Sequence, residues 1–243
     1  MNEGKMLWRA CSSRHDWTDG ALFAQVLAAA GRLGVIGPAT AVKVGWDERP
    51  VPGTFEVHGM GERLLAAAGR SDPLVIDATG TSPSWSVFFA AWPYDRADRS
   101  VEGMNALELR FDASGLGREQ LDALADAFFA VHTPQNTEYA VLHPYEHWRD
   151  FGESAYERPV TIGPMFRGVY WASFLGPGHA DQFDRERLQG LPVHRMEWID
   201  GPGLRLVANP DPRDCADPPV EALYRELTAA FRAALRPDSP WAD

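Results

Sequence analysis

The chain has 243 residues, of which 45% are hydrophobic and 23% charged, proportions typical of a globular protein with a substantial core. Its 34 acidic and 23 basic residues give a formal net charge of −11, which disfavours binding to nucleic acid or to an anionic membrane surface. No stretch reaches the run of about 20 apolar residues that spans a membrane, and the charged N-terminus lacks the apolar run of a signal peptide. We therefore expect a cytoplasmic protein.

Hydrophobic periodicity in the first half of the chain predicts strands that alternate with helices. The predicted elements are a strand over Leu7–Ser12, a helix over Thr18–Leu33, a strand over Ala41–Trp46, a short helix over Gly59–Gly69, a brief apolar run over Leu74–Asp77 and a strand over Trp85–Trp92. Thr18 or Asp16 is suited to cap the start of the first helix, because both side chains accept hydrogen bonds from backbone N–H groups.

The second half begins with the same order of elements and ends in a helix. The predicted elements are a strand over Ala106–Phe111, a helix over Arg118–His132, a strand over Glu138–Leu142, an apolar run over Gly168–Leu175, a short helix over His179–Leu188, a hairpin of Val193–Trp198 with Leu204–Val207, and a final helix. That last helix is the clearest in the chain, because Asp217 can cap it and Pro218 suits its first position.

Together these patterns predict an α+β fold with a mixed, mostly antiparallel sheet and about four helices. The strand–helix–strand order that starts at Leu7 and again at Ala106 is compatible with two related halves. No low-complexity linker divides the sequence, so we expect one domain over residues 1–243.

Two glycine pairs and two histidines are the features that most resemble catalytic motifs. Gly59-Met60-Gly61 and Gly115-Leu116-Gly117 precede helices, but neither completes a dinucleotide-binding fingerprint, so both are interpreted as turns. His143 and His147 have the four-residue spacing of a helical metal pair, although Pro144 interrupts a helix and the metalloprotease pattern needs Glu directly after the first His.

A metal-dependent hydrolase that uses His143 and His147, with Asp150 or His179 as a third ligand, is therefore the alternative function. The leading interpretation is a protein that binds another protein, and it includes no metal and no cofactor. Cys11 and Cys215 stand outside any Cys-x-x-Cys pair, so we expect both to be free, buried thiols.

Acidic pairs and tryptophans point instead to a protein partner. Carboxylates at Asp95 with Asp98, and at Asp211 with Asp214, suit an anionic surface that attracts a basic partner. Trp85 and Trp92 are seven positions apart and face opposite sides of a regular strand, so we expect one in the core and the other at the surface. The predicted partner-binding residues are Asp95, Asp98, Asp211, Asp214, Trp85 and Trp92.

Aromatic and glycine positions along the chain resemble those of a known family. They are a Trp-Arg strand that opens into a helix, a Trp-containing strand in the middle, the segment Gly168–Pro177, and a hairpin that ends in Gly201-Pro202-Gly203-Leu204-Arg205-Leu206. This arrangement resembles bacterial immunity proteins of polymorphic toxin systems, notably the family called immunity protein fifty-two. The resemblance spans most of the chain, although residues from Val51 to Thr81 contribute nothing to it.

The resemblance implies a cytoplasmic, non-enzymatic protein that binds a co-produced toxin one to one and blocks its active or substrate-binding surface. It supplies no catalytic residues. A net charge of −11 suits a basic toxin such as a nuclease. A self-associating or scaffold module, with the Pro-rich stretch Asn209–Pro219 as its docking segment, is a third interpretation.

Overall fold

The structure is a computed structural model that describes residues 4–12, 17–69, 73–92, 105–133, 137–147, 168–199 and 203–239. These residues form one ten-stranded sheet in which the neighbouring strands pair antiparallel, together with helices. The predicted α+β fold class is therefore confirmed.

The strands are numbered in chain order. They are β1 (Lys5–Ser12), β2 (Ala41–Val44), β3 (Arg49–Pro50), β4 (Leu74–Thr81), β5 (Ser84–Ala91), β6 (Asn105–Asp112), β7 (Tyr139–Pro144), β8 (Ala172–Leu175), β9 (Arg195–Ile199) and β10 (Gly203–Val207). Across the sheet they stand in the order β3-β2-β4-β5-β6-β1-β7-β8-β10-β9. The brief apolar run predicted at Leu74–Asp77 is the first half of the eight-residue strand β4.

Six helices have both ends within the described residues. They are α1 (Ala21–Arg32), α2 (Met60–Ala68), α3 (Arg118–His132), α4 (Pro177–Ala180), α5 (Arg185–Leu188) and α6 (Pro218–Ala233), and a 3-10 helix (Pro212–Ala216) precedes α6. Each of the four helices of nine residues or more lies where the periodicity predicts a helix. The predicted helix over His179–Leu188 is instead two single turns, because Phe183 between them pairs as a β-bridge with Leu235.

The start of α1 differs from the prediction. The helix begins at Ala21, and Gly20 occupies the N-cap with a φ of 70°, the left-handed conformation that favours glycine. The cap hydrogen bond comes from Asp19, whose Oδ1 accepts from the Ala21 N–H at 2.9 Å. Thr18 therefore lies before the helix, and Asp16 lies outside the described residues. At α6, Asp217 and Pro218 hold the predicted N-cap and first positions, although the Asp217 side chain makes no cap hydrogen bond.

The buried hydrophobic residues form two clusters, one on each face of the sheet, because successive side chains of a strand point to opposite faces. Met6, Trp8 and Ala10 of β1 face the cluster that α1, α2 and α3 cover, which we call the first face of the sheet. Cys11 faces the opposite side, the second face. There α4, α5 and α6 pack over β7, β8 and β10.

The remainder of the second face is more polar. A single row crosses it in register, because Lys43, Asp77, Phe88, Glu108 and Arg9 are successive cross-strand partners. Lys43 and Asp77 are exposed, and the other three side chains are half-buried. Sheet strands with one apolar and one polar face explain the clean alternation of burial in β6.

Both predicted strand–helix–strand units are present, but they span different distances in the sheet. The helix α1 links β1 to β2, and three strands stand between those two. The helix α3 links β6 to β7, with β1 alone between them. Within the described ranges, every helix is too short or too polar to cross a lipid bilayer.

Candidate functional site

The two histidines of the predicted metal pair lie close together. His143 is in β7, which ends at Pro144, and residues 145–147 are helical. Nε2 of His143 and Nδ1 of His147 are 2.6 Å apart, a short hydrogen bond. Pro144 thus separates a strand from a helical turn, and this junction brings the two rings together.

Hydrogen bonds fix the protonation of His143. The backbone N–H of Trp171 donates to Nδ1 of His143 at 3.0 Å, so Nδ1 is the acceptor nitrogen. A neutral imidazole carries one N–H, which must therefore be on Nε2 and donate to His147. Complete burial and the neighbouring His147 keep the pKa of His143 well below its ordinary value, so the ring is neutral.

A network of aromatic and amide groups surrounds His143. The rings of Tyr170 and Tyr224 each stand edge-on to it, with centroids 5.3 Å away. The Tyr224 hydroxyl donates to Oδ1 of Asn209 at 2.5 Å, and the indole N–H of Trp171 donates to the Asn209 carbonyl at 3.0 Å. These contacts tie β7, α6 and the segments flanking β8 and β10 into one buried unit.

Cys215, in the 3-10 helix, is the third member of this cluster. Its sulfur and the ring nitrogens of His143 and His147 all lie within 4.8 Å of one another. Burial, together with the nearby carboxylates of Asp214 and Asp217, raises the pKa of the Cys215 thiol to about 12. Both cysteines are buried and outside any disulfide bond, as predicted, but the sequence does not indicate that Cys215 meets the histidines.

Among the described residues, the third member of the cluster is not one that the sequence proposed. His179 stacks on Tyr139 instead, with the two rings nearly parallel and their centroids 6.0 Å apart. Asp150 lies outside the described residues. A tertiary contact from the C-terminal part of the chain therefore supplies the third group, which residue spacing alone cannot indicate.

A cavity of 840 Å³ opens beside this cluster, at the end of the sheet where β1 begins and β6 and β7 end. Its walls are Gly4, Lys5, Met6, Ala113, Ser114, Leu121, Pro144, Glu146, His147, Pro212, Arg213, Cys215 and Ala216. His147 and Cys215 are the members of the cluster that reach its wall. The volume is in the range of small-molecule sites.

The geometry of the three side chains does not fit zinc. Two nitrogens bound to tetrahedral zinc lie about 3.3 Å apart, since each Zn–N bond is about 2.0 Å. The nitrogens of His143 and His147 are closer, at 2.6 Å. The Trp171 N–H also occupies the lone pair of Nδ1 on His143, which leaves Nε2 protonated and unable to bind a metal. As arranged, the cluster is a hydrogen-bonded structural unit.

The predicted acidic residues have different surroundings. Asp95 and Asp98 lie outside the described residues. The Asp211 carboxylate accepts hydrogen bonds from the guanidinium of Arg213, at 2.8 Å from Nε and 2.5 Å from Nη2, and from its backbone N–H. The charge of Asp211 is therefore largely balanced within the chain, whereas Asp214 is exposed.

The two predicted tryptophans face opposite sides of β5, as their spacing indicates. Trp85 is 3% exposed in the core on the first face, so its ring is not at the surface as a partner contact would need. Trp92 follows β5 on the second face and is half-buried. Its ring centroid is 5.8 Å from that of Trp46, which is 62% exposed. Trp46 is a surface residue that strand prediction alone does not single out.

No protein-family model matches the chain, and no curated protein sequence matches it. Among solved structures, the fold is similar to that of "Pseudomonas aeruginosa T6SS protein PA0821", with a TM-score of 0.63 and 13% sequence identity. The similarity covers 96% of this chain and 74% of that protein. It shows a shared fold over nearly the whole chain, and membership of the immunity protein fifty-two family stays a prediction.

Proposed function

We propose that this chain is an immunity protein that neutralises a cognate bacterial toxin by non-covalent, one-to-one binding. The observation that carries the proposal is the fold similarity, over 96% of the chain, to a protein of a type VI secretion system. Such a relationship is compatible with a role in competition between bacteria, and it agrees with the family resemblance seen in the sequence.

The chemistry of the buried groups supports a binding function. His143 is neutral and hydrogen-bonded, and Cys215 is held as a thiol, so this cluster is suited to stabilising the fold. A hydrolase that uses this cluster would need a nucleophile that is activated by a neighbouring base, whereas the pKa of the Cys215 thiol at the cavity wall is raised. Neutralisation by occlusion needs a complementary surface and no such group.

Charge supports the class of partner. A chain with a net charge of −11 attracts a basic protein over long distances, which raises the association rate. A nuclease toxin is a suitable partner, because an enzyme that binds a polyanion presents a basic surface around its active site. The acidic chain would then compete with the nucleic acid for that surface.

Co-expression tests the proposal directly. The toxin domain encoded beside this gene is expressed in a heterologous bacterium with and without the chain, and we expect growth to recover only when both are present. An inactive variant of the same toxin domain should co-purify with the chain at one-to-one stoichiometry. A matched control uses a toxin of the same enzymatic class from an unrelated locus, which should not be neutralised.

Ionic strength provides a second readout. Because encounter is driven by charge, the association rate should fall steeply as salt increases, while the dissociation rate changes little. Stopped-flow mixing of the chain with the inactive toxin domain measures both rates. Absence of growth recovery together with absence of a complex would refute the proposed function.

A further inference from the structure

The turn between β2 and β3 holds Trp46 at the surface in a defined conformation. Gly45 has a φ of 75° and Glu48 a φ of 51°, so both ends of the turn are left-handed. A non-glycine residue seldom adopts this conformation, and an ion pair between Glu48 and Lys43, at 2.5 Å, holds Glu48 in place. Among the described residues, Trp46 is the one large hydrophobic residue whose side chain is exposed.

Trp46 and Trp92 form a fixed aromatic pair contributed by two separate elements. The N–H of Gly45 donates to the carbonyl of Val75 at 3.0 Å, which attaches the turn to the start of β4. The N–H of Trp92 donates to Oδ1 of Asn105 at 2.7 Å, which fixes the residue after β5. Both backbones are anchored, which limits how far the two indole rings can move apart before a partner binds.

Asp77 lies on the same face of the sheet, two residues beyond Val75 in β4. Its cross-strand neighbours are Lys43 and Phe88. Lys43 pairs with Glu48, and within the described part of the chain the Asp77 carboxylate makes neither a hydrogen bond nor an ion pair. Desolvation raises the pKa of Asp77, and the nearby positive charge of Lys43 offsets only part of that effect.

Glu108 is the other carboxylate in the cross-strand row that contains Asp77, and it is already paired. Glu108 lies 3.4 Å from Nε of Arg9 and 3.1 Å from Nη2 of Arg110. The guanidinium of Arg110 also stands 4.5 Å from the centroid of the Tyr145 ring. The same face thus contains, within the chain, an arginine held between a carboxylate and an aromatic ring, and Asp77 lacks such an arginine.

We propose that Trp46, Trp92 and Asp77 form the site that receives an arginine side chain of the basic toxin. A guanidinium stacks on an indole face and donates hydrogen bonds to a carboxylate at the same time, which the compact ammonium of lysine does less well. This inference rests on the proposed function and adds which surface of the chain meets the toxin.

The open part of this face lies over β2, β4 and β5, where Ala41, Lys43 and Asp77 are exposed and Phe88 is half-buried. On the same face, Leu7 and Cys11 of β1 are buried. A central Trp–Arg contact with a polar surround is typical of binding hot spots.

Calorimetry with the inactive toxin domain encoded beside this gene tests the inference. We expect Trp46→Ala and Asp77→Asn each to weaken the Kd at least tenfold, while Asp122→Asn, an exposed acidic residue of α3 on the other side of the molecule, changes it less than twofold. Trp46 is 62% exposed, so Trp46→Ala should leave the far-ultraviolet circular dichroism and the urea midpoint unchanged.

An arginine-to-alanine scan of the toxin domain identifies the partner side chain. One toxin variant should lose at least tenfold in affinity for the wild-type chain and little further affinity for the Asp77→Asn chain, because the two changes remove the same contact. Equal affinity of the wild-type, Trp46→Ala and Asp77→Asn chains for the toxin would overturn the inference and leave the proposed function intact.

Two other outcomes are equally decisive. If the wild-type chain does not bind the toxin domain, the proposed function fails and this inference fails with it. If sedimentation shows a dimer of the wild-type chain that Trp46→Ala converts to a monomer, a second copy covers this surface, and the inference is also overturned.

Discussion

The indole N–H of Trp8 donates a hydrogen bond of 2.7 Å to Nε2 of His132, which joins the central strand β1 to the end of α3. Because an indole nitrogen is only a donor, Nε2 of His132 is the acceptor and Nδ1 carries the proton. Nδ1 can then donate to Oγ1 of Thr137, 2.9 Å away. The neutral ring therefore satisfies both neighbours, and complete burial lowers its pKa to about 3.

This buried histidine predicts that the protein loses stability in mild acid. Between pH 6.5 and about 3, the unfolded chain binds a proton at His132 that the folded chain does not, so the contribution is complete above pH 6.5 and decreases as the pH falls. The loss is about 1.4 kcal/mol per pH unit below 6.5. His143, whose pKa is also lowered, acts in the same direction.

Urea unfolding of the wild type and His132→Gln at about pH 7.5 and about pH 5.5 measures the effect. Glutamine can accept from Trp8 and donate to Thr137 but does not titrate. We expect the free energy of unfolding of the variant to fall by about 1.4 kcal/mol less than that of the wild type over this interval. Identical pH dependence in the two proteins would show that His132 does not carry the effect.

A close contact between α1 and α2 depends on Gly61. A Cβ at this position would lie 2.5 Å from Cα and 3.0 Å from Cβ of Ala24. Gly61→Ala adds about 1 kcal/mol of helix propensity, but overpacking costs about 1–3 kcal/mol, so we expect a net loss of about 1 kcal/mol. Gly115→Ala is the matched control, because no atom lies within 4 Å of its added Cβ. A Gly61→Ala protein as stable as that control would contradict the tight helix contact.

Cys215 should be unreactive in the folded protein. With its pKa raised to about 12, the thiolate fraction at about pH 8 is roughly a thousandfold lower than in a free cysteine. In a Cys11→Ala background, we expect slow reaction with a thiol-specific disulfide reagent before unfolding and rapid reaction after it.

The cluster of His143, His147 and Cys215 should bind zinc only weakly, so metal analysis of the purified protein should find less than one zinc ion per chain. One tightly held zinc, lost in His147→Ala, would show that the cluster rearranges to bind metal and would favour the hydrolase.

The two acidic residues near the 3-10 helix should differ in their effect on stability. Asp211→Asn removes charged hydrogen bonds to Arg213, a pair that is partly exposed, so the loss in unfolding free energy should be about 1 kcal/mol. Asp214→Asn should change stability by less than about 0.5 kcal/mol. Thermal unfolding of both variants checks this, and equal effects would indicate that the Asp211–Arg213 pair contributes little.

The sequence predicts α3 with the bounds that the structure has, because its apolar residues repeat at helical spacing and Thr133-Pro134 follows. The strand β6 is predicted to within one residue at each end, since its apolar and charged residues alternate. Gly61, predicted as a turn residue, lies inside α2. Its small size serves a helix–helix contact, and the sequence of one helix does not show where the other will pack.

The candidate sites depended more strongly on tertiary contacts. The spacing of His143 and His147 indicated that the two rings could meet, but the Trp171 N–H that fixes their protonation comes from a segment 28 residues from His143. Trp85 and Trp46 are the same residue type in strand-like surroundings, yet one is 3% and the other 62% exposed.

By itself, the sequence determined the fold class, the four long helices and the acidic character of the chain, because periodicity and charge act locally or as sums. The order of strands in the sheet, the pairing of Trp46 with Trp92 and the register that places Asp77 between Lys43 and Phe88 were decided by the tertiary structure alone. The local alternation of apolar and polar residues indicates which side of a strand is apolar. Which helix, if any, covers that side follows only from the packing of the whole chain.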